Sequence, residues 1–355
     1  MSEKVLMKGN EAIAEAAIIA GCRHYFGYPI TPQTEIPELM AKRMPQIGGT
    51  FVQAESEIAA INMVFGAAGA GARTMTSSSS PGISLKQEGI SYIAAAELPC
   101  VIVNIVRGGP GLGGIQPAQS DYFQATKGGG HGDYRNIVLA PNSVQEMVDL
   151  TLLAFDLADQ YRNPVMLLGD GALGQMMEPV EFKTSSTTPV AKPWALTGLR
   201  GRKIPNVVNS LFLQPEQLEE LNIRLQKKYA TIRNNEPRWE EINTEDAELV
   251  LVAYGITSRI AHSAMDKARQ EGMKVGLLRP ITLWPFPVQP FAKLAKTTKA
   301  FLTLELSAGQ MVEDVMLATK QLKPVYFYGR TGGMIPSTEE FYQEIVKIIN
   351  GKEAN

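Results

Sequence analysis

The chain has 355 residues, of which 45% are hydrophobic and 20% charged, and its formal net charge at pH 7 is −2. This length favours two domains over a single core, and the composition is typical of globular proteins and excludes a largely disordered chain. No block of lysine or arginine stands out, which argues against nucleic acids and acidic membranes as partners.

The cysteines and the apolar runs narrow the class of protein further. Only Cys22 and Cys100 occur, and neither lies in a Cys-x-x-Cys pair. We therefore expect no disulfide scaffold, and no iron–sulfur or zinc site held by this chain alone. Glu11 and Glu15 interrupt the first apolar stretch, which argues against a secretory signal. No apolar run reaches the roughly 18 residues of a membrane span, so we expect a cytoplasmic protein.

Strand-like runs alternate with helical patterns through the first half of the chain. The predicted strands are 24–30, 71–80, 100–108, 136–141 and 164–170, and the predicted helices include 11–21, 83–97 and 144–161. Ser143 and Glu146 have the spacing of a capping box at the start of the last helix. This alternation predicts an α/β fold with a doubly wound parallel sheet.

The texture changes after about residue 184. Residues 183–203 are polar and rich in proline, glycine and basic residues, which is typical of a linker, and 215–235 form one amphipathic pattern. A second α/β unit follows, with strands predicted at 247–255, 274–280, 299–307 and 324–330, and helices near 258–272, 309–320 and 338–350. We divide the chain into a first α/β domain (1–184), a linker with one helix (185–242) and a second α/β domain (243–355).

The first motif is the proline-rich segment "FGYPITPQTEIPEL" at 26–39. It follows a predicted strand, and we expect Thr31 to cap a helix in which Pro32 takes the first position. Such a turn lies at the carboxyl edge of a parallel sheet, where open α/β folds bind ligands. The segment is either a stiff turn or a site in which Thr31 and the helix N-terminus meet an anionic ligand.

Two glutamates precede a helix of small and aliphatic residues at 51–73. We expect Glu55 to lie in the first helical turn, where an acid is favourable. Glu57 stands closer to the apolar part, and a desolvated carboxyl has a raised pKa and can share a proton with a ring nitrogen.

A glycine-rich stretch follows the strand at 100–108. Residues 109–114 match Gly-x-Gly-x-x-Gly, but Pro110 and Pro117 disfavour the tight turn and helix of a dinucleotide site. We expect a long mobile loop, which is often functional. Arg107 could fork onto a carboxylate or lie on the surface. His131 is either catalytic or a loop residue, and the loop is favoured.

Asp170 lies in a Gly-Asp-Gly sequence after a strand, as at the start of the Mg²⁺-diphosphate motif of thiamine diphosphate enzymes. That motif ends in an asparagine about 25–30 residues later, and residues 193–200 contain none. We interpret Asp170 as a strand-end residue, and predict no metal ligand in this chain.

Taken together, these motifs resemble the alpha subunit of 2-oxoacid:ferredoxin oxidoreductases, closest to the 2-oxoisovalerate (3-methyl-2-oxobutanoate) branch. The resemblance spans nearly the whole chain and is carried by "GYPITPQTEI", "ESEIAAINMVFGAAGAGARTMTSSSSPG", "LRPITLWPFP" and "GRTGGMIPS". It implies a pyrimidine-type thiamine-diphosphate-binding domain, followed by a domain like the C-terminal domain of transketolase.

The resemblance also implies roles for single residues. Glu57 would contact the pyrimidine N1′ of thiamine diphosphate and favour its imino tautomer. Thr31 would lie near the carboxylate or carbonyl of the substrate, and Arg107 would pair with that carboxylate. The implied cofactor-binding residues are Glu57, Tyr28, Pro29 and Ile30.

A split enzyme is implied, active only with partner subunits. Thiamine diphosphate would be shared with a beta subunit that carries the Mg²⁺-diphosphate motif. Mg²⁺ and iron–sulfur clusters would belong to partner subunits, including ferredoxin-like gamma subunits. The implied reaction, typical of anaerobic metabolism, is oxidative decarboxylation of a 2-oxoacid with coenzyme A, giving acyl-CoA, CO₂ and reduced ferredoxin.

The substrate and two other classes of protein stay open. A branched-chain 2-oxoacid is favoured, with a 2-oxoglutarate- or pyruvate-specific member of the family as the alternative. A stand-alone nucleotide-binding enzyme of the Rossmann type is disfavoured by Pro110 and Pro117. A non-catalytic scaffold subunit would have no need of Thr31, Glu57 and Arg107.

Overall fold

The computed structural model describes residues 4–182 and 190–351, so the first part of the expected linker, 183–189, lies outside the described residues. The described helices are α1 (Gly9–Ile19), α2 (Glu35–Arg43), α3 (Glu57–Gly69), α4 (Pro81–Ala95), α5 (Tyr122–Thr126), α6 (Val144–Tyr161), α7 (Gly171–Gln175), α8 (Pro215–Asn235), α9 (Gly255–Gln270), α10 (Val288–Leu294), α11 (Met311–Ala318) and α12 (Thr338–Ile349).

The described strands are β1 (Val5–Lys8), β2 (His24–Gly27), β3 (Thr50–Gln53), β4 (Thr74–Ser78), β5 (Cys100–Val106), β6 (Ile137–Leu139), β7 (Pro164–Asp170), β8 (Met177–Val180), β9 (Trp239–Ile242), β10 (Leu249–Val252), β11 (Val275–Pro280), β12 (Thr282–Trp284), β13 (Ala300–Glu305) and β14 (Val325–Gly329). The predicted amphipathic helix at 215–235 is confirmed as α8. Among the described residues, no helix combines the length and apolarity that crossing a bilayer requires.

Seven strands form the first sheet, in the order β12-β6-β7-β5-β4-β2-β3. All its pairs are parallel except β12 with β6. Strands β5 and β7 are buried along their whole length, as expected of a parallel sheet covered by helices. Helices α1 and α6 pack together, as do α3 and α4, and one hydrophobic core joins both pairs.

The second sheet has the order β14-β13-β10-β11-β9, parallel except for β9 with β11. Strand β12, which directly follows β11 in the chain, leaves this sheet and forms the edge of the first one. Trp284 on β12 packs edge-to-face on Tyr229 of α8, with ring centroids 5.8 Å apart. The pairing of β12 with β6 thus joins the segment that follows β11 to the first sheet. The three-part division of the chain stays a prediction.

Two expected helix starts were wrong. Helix α2 begins at Glu35 after Thr34, not after Thr31. Arg107 donates to the Thr31 carbonyl at 2.8 Å, and Asn10 donates to the Pro32 carbonyl at 2.8 Å. A helix starting at Thr31 would need these two carbonyls as acceptors for its own backbone N–H groups.

Helix α3 begins at Glu57, so Glu55 lies before the helix rather than in its first turn. Ser56 caps the helix instead, since its hydroxyl accepts from the N–H of Ala59 at 3.1 Å. At α6, Ser143 caps as expected by accepting from the N–H of Glu146. The Glu146 carboxylate accepts from the N–H of Asn142 rather than from that of Ser143.

Candidate active site

The candidate residues lie where strands of the first sheet end. Strand β2 ends at Gly27, β4 at Ser78 and β5 at Val106, and all three run parallel within that sheet. Their carboxyl ends therefore face the same edge, which is the edge where open α/β folds bind ligands. The loop 28–34, the serine turn 77–80 and the start of the loop 107–121 meet there.

Glu57 is the first residue of α3, and only 6% of its surface is exposed. Within the described residues, no side chain or backbone group donates a hydrogen bond to its carboxylate. A Cβ on Gly82 would lie 2.6 Å from Oε1 of Glu57, and closer still to the hydroxyl of Ser78. The missing side chain at Gly82 therefore makes room for this carboxylate.

Sequence reasoning missed Gly82. The available signal was its place directly after the predicted strand, the serines and Pro81. There the first turn of a helix packs against the sheet edge, and small residues allow close approach.

The serine turn offers hydroxyl groups without partners. The side-chain oxygens of Ser78 and Ser79 are buried and form no hydrogen bond within the described residues. Ser80 has a φ of 21°, an unusual backbone conformation for a residue other than glycine. Its N–H donates to Asn104 at 3.1 Å, and its hydroxyl accepts from the N–H of Arg107 at 3.0 Å. The turn thus anchors Arg107, the residue that directly follows β5.

Arg107 is buried, with 7% exposure, and it lies against the loop 28–34. Its guanidinium donates to the carbonyl of Thr31 at 2.8 Å and to that of Leu112 at 3.2 Å, while Nε has no partner. Within the described residues, no carboxylate pairs with it. The structure therefore brings Arg107 and Thr31 together through the Thr31 backbone.

A hydrogen-bond chain fixes the proline-rich loop from below. The hydroxyl of Ser77 bonds to Tyr25 at 2.6 Å and to the side-chain oxygen of Gln33, and Gln33 donates to the carbonyl of Tyr28 at 3.4 Å. Burial raises the pKa of the Tyr25 phenol, which keeps it a neutral donor. Above this support, Tyr28, Pro29 and Thr31 are exposed and Ile30 is half-buried.

The glycine-rich loop folds back on itself. The N–H of Gly108 donates to the carbonyl of Gln116 at 2.9 Å. The backbones of Arg107 and Pro117 pair as an isolated antiparallel β-bridge. The next helix begins only at Tyr122, so the turn and helix of a dinucleotide site do not form here.

His131 is exposed and lies 3.4 Å from the hydroxyl of Ser91, nine residues along α4 from Gly82. This separation corresponds to about 13 Å, so the structure does not bring His131 to Glu57.

Asp170 is a strand-end residue that caps α7. Oδ1 accepts from the N–H groups of Ala172 and Leu173, each at 3.0 Å, and Oδ2 accepts from that of Ile256 at 3.2 Å. Burial raises the pKa of this carboxyl to about 6. Backbone donors therefore engage both carboxylate oxygens.

Comparison with known proteins identifies the family. The model described as "Pyruvate flavodoxin/ferredoxin oxidoreductase, thiamine diP-bdg" matches residues 15–242, and "Pyruvate:ferredoxin oxidoreductase core domain II" matches residues 247–341. The chain belongs to the 2-oxoacid:ferredoxin oxidoreductase family. It is an alpha-type subunit of this family, as the sequence predicted.

Individual relatives of this alpha-type subunit cover almost its whole length. It is 55% identical over 344 residues to the ketoisovalerate oxidoreductase subunit VorB of Methanothermobacter marburgensis, covering 97% of both chains. It is 39% identical to the 2-oxoglutarate synthase subunit KorA of Methanothermobacter thermautotrophicus, covering 98% of this chain and 100% of the relative.

Solved structures confirm the predicted fold class of this 2-oxoacid:ferredoxin oxidoreductase subunit. The 2-oxoglutarate:ferredoxin oxidoreductase of Magnetococcus marinus matches with a TM-score of 0.89 and 28% identity, covering 98% of this chain and 66% of that one. A split-gene transketolase matches with a TM-score of 0.61 and 14% identity, covering 98% of this chain and 99% of that one. The latter likeness concerns the fold alone.

The residues of this family member fit thiamine diphosphate at the strand ends. Glu57 is buried and its carboxylate has no donor among the residues that the structure describes, and Gly82 leaves the space that this carboxylate occupies. The unpartnered hydroxyls of Ser78 and Ser79 add acceptors and donors beside it. Buried polar groups of this kind usually have a partner, and a polar heterocyclic ligand would supply one.

Proposed function

We propose that this chain is the alpha-type subunit of an enzyme that oxidatively decarboxylates a branched-chain 2-oxoacid with coenzyme A. The products are an acyl-CoA, CO₂ and reduced ferredoxin. The higher identity to the ketoisovalerate relative, 55% against 39% for the 2-oxoglutarate relative, supports the branched-chain substrate.

The observation that carries this proposal is the buried, donor-free carboxylate of Glu57. When bound, thiamine diphosphate supplies the nucleophile and the electron sink for decarboxylation. Glu57 would hydrogen-bond to the pyrimidine ring nitrogen of the bound cofactor and would move a proton to or from that atom. Gly82 and the cap of α3 by Ser56 keep the carboxylate in place.

Arg107 and Thr31 orient the substrate. The Arg107 guanidinium is already positioned by two carbonyls and retains Nε without a partner, so a substrate carboxylate can accept from it. Thr31 is exposed on the same loop. Tyr28, Pro29 and Ile30 line the cofactor side of this loop, where a partner subunit completes the site.

Partner subunits hold the metal centres. Cys22 and Cys100 are both buried, and burial raises the pKa of each thiol to about 12. Two cysteines do not supply the four thiolates that usually hold an iron–sulfur cluster. In this proposal, Mg²⁺ and the iron–sulfur clusters belong to a beta subunit and to ferredoxin-like gamma subunits, in a cytoplasmic hetero-oligomer.

An exposed apolar segment supports assembly with such partners. Ile204, Val207, Leu211 and Leu213 are between 65% and 81% exposed. Several exposed apolar side chains in one segment are typical of a protein contact rather than of a solvated surface.

The test is to co-express the chain with the beta and gamma subunits encoded beside it and to purify the complex. CoA-dependent reduction of a viologen dye would be measured with 2-oxoisovalerate, pyruvate, 2-oxoglutarate and an aryl-pyruvate. The highest kcat/KM is expected for the branched acid, and the isolated chain should be inactive. A preference for 2-oxoglutarate would replace the substrate, and a thiamine-loaded complex inactive with every acid would favour a scaffold subunit.

A further inference from the structure

Lys86 is fully buried in the middle of α4, with no exposed surface. Its ammonium group donates one hydrogen bond, to the hydroxyl of Thr76 at 3.0 Å. An ammonium group has three donors, and within the described residues no carboxylate lies within ion-pair distance of it. A buried charge is costly unless it is compensated, so this lysine needs an explanation.

The position of Lys86 relative to Glu57 follows from two regular elements. Gly82, which touches the Glu57 carboxylate, lies four residues before Lys86 and therefore on the same face of α4. Ser78 lies beside Gly82, and Thr76 lies beside the Lys86 ammonium group. Because they are two residues apart on β4, both side chains lie on the same face of the strand. Glu57 and the Lys86 ammonium group thus contact α4 and β4 at levels about one helical turn apart, roughly 5 Å along the helix axis, in the interior between α3, α4 and β4.

Other ionisable groups do not compensate Lys86. Glu57 is the one ionisable residue of α3, and β4 has none. Glu88, on α4, is exposed. Asp170, on β7, accepts from backbone N–H groups. His131 lies beside Ser91, near the C-terminal end of α4. Burial lowers the pKa of Lys86 to about 8, and Glu57 opposes this shift.

Lys228 provides the contrast. Burial lowers its pKa to about 8 as well. However, its ammonium group pairs directly with Glu97 at 3.3 Å and donates to the carbonyl of Arg162 at 3.1 Å. Lys228 is a paired structural lysine, whereas the charge of Lys86 has only the more distant carboxylate of Glu57 as its counterpart.

We propose that Lys86 is a positioning residue for Glu57, and that its buried ammonium group keeps the Glu57 carboxylate anionic until the cofactor binds. This inference rests on the proposed thiamine diphosphate site. Burial favours the neutral form of a carboxyl, whereas a nearby positive charge favours the anion. With Lys86 beside it, Glu57 is held ready to receive a proton together with the pyrimidine nitrogen.

The test counts the protons that accompany cofactor binding. Thiamine diphosphate with Mg²⁺ would be titrated into the cofactor-free complex at pH 7, by calorimetry in buffers of different ionisation enthalpy. In the wild type, the pair of Glu57 and the ring nitrogen gains about one proton on binding. If Lys86 holds Glu57 as an anion, the uptake in Lys86→Met should fall by up to about one proton.

Three controls separate this role from a structural one. Lys86→Met should not lower the thermal midpoint, because the ammonium group forms no direct ion pair within the described residues and Met fills a similar volume. Lys86→Gln serves if the Met complex fails to assemble. Lys228→Met should lower the midpoint and leave the proton count unchanged. Adding Lys86→Met to Glu57→Gln should change the proton count no further.

The outcomes distinguish the two proposals. Cofactor binding with the same proton uptake in wild type and Lys86→Met would overturn the role of Lys86 and leave the cofactor site intact. A wild-type complex that does not bind thiamine diphosphate would overturn both.

Discussion

Gln119, in the loop after β5 of the first sheet, pairs with Leu306, the residue that follows β13 of the second sheet. Its N–H donates to the carbonyl of Leu306 at 2.8 Å, and its side-chain oxygen accepts from the N–H of Leu306 at 2.9 Å. The same side chain donates to the carbonyl of Tyr254 at 2.8 Å. These contacts span the ends of β10 and β13, the place where an open α/β sheet usually holds a ligand. Here the side chain of Gln119 occupies that position.

Replacing Gln119 by Ala should therefore weaken the contact between the loop after β5 and the second sheet. It leaves the buried N–H of Leu306 without its partner, which costs about 1–3 kcal/mol, whereas the carbonyl of Tyr254 still accepts from the Thr257 hydroxyl. The urea midpoint of unfolding should fall accordingly. Gln116→Ala is the matched control, because this exposed side chain of the same loop forms no hydrogen bond within the described residues. Equal midpoints for both variants would show that Gln119 contributes nothing to docking.

Asp170 gives stability a pH dependence of known sign. Burial raises its pKa from 3.8 to about 6, so the folded state binds the proton more tightly. Its contribution favours folding below about pH 4 and is lost as the pH rises through 6, a change on the order of 3 kcal/mol.

The Asp170→Asn variant removes this titration. The free energy of unfolding of the variant, relative to wild type, should therefore rise between pH 4 and pH 7. Urea unfolding at several pH values measures this difference. A difference that does not change with pH would contradict a raised pKa at Asp170.

Gly82→Ala should disturb the cofactor site and spare the fold. Its Cβ would stand 2.6 Å from Oε1 of Glu57, so the carboxylate must move. We expect thiamine diphosphate to bind about 10-fold more weakly, as measured by calorimetry on the complex. Gly66→Ala in α3 is the control, since a Cβ there meets nothing within 4 Å and should be neutral or stabilising. Equal affinity for both variants would place the cofactor away from Glu57.

Arg107→Lys keeps the charge and removes the planar fork. We expect KM for the 2-oxoacid to rise about 10-fold or more, with a smaller change in kcat, because a charged hydrogen bond to the substrate is weakened. Arg73→Met breaks ion pairs with Asp156 and Asp159 and should lower stability without changing KM. A KM for Arg107→Lys like that of wild type would remove Arg107 from the substrate site.

Much of the fold was readable from the sequence. A continuous apolar run predicts strand β5, and an amphipathic periodicity predicts helix α8. Both patterns lie within a short segment of the sequence. The family resemblance then directed attention to Glu57, Thr31 and Arg107. Glu57 is buried at the strand ends, and Thr31 contacts Arg107 there, although their roles stay predictions.

The features that sequence reasoning missed depend on distant contacts. The start of α2 is decided by Asn10 and Arg107, which take the carbonyls of Pro32 and Thr31. The pairing of β12 with the first sheet joins segments more than 140 residues apart. Lys86 looks like an ordinary helix residue in the sequence, and only its burial against Thr76 marks it.

The most direct test of the central claim replaces Glu57 by Gln in the assembled complex and compares it with Glu55→Gln. Both substitutions remove a carboxylate, but Glu55 is exposed and lies before the helix, whereas Glu57 is buried. We expect kcat for CoA-dependent oxidation of 2-oxoisovalerate to fall about 100-fold or more in Glu57→Gln and to stay near wild type in Glu55→Gln. Wild-type turnover in Glu57→Gln would contradict the assignment of Glu57 to the cofactor site.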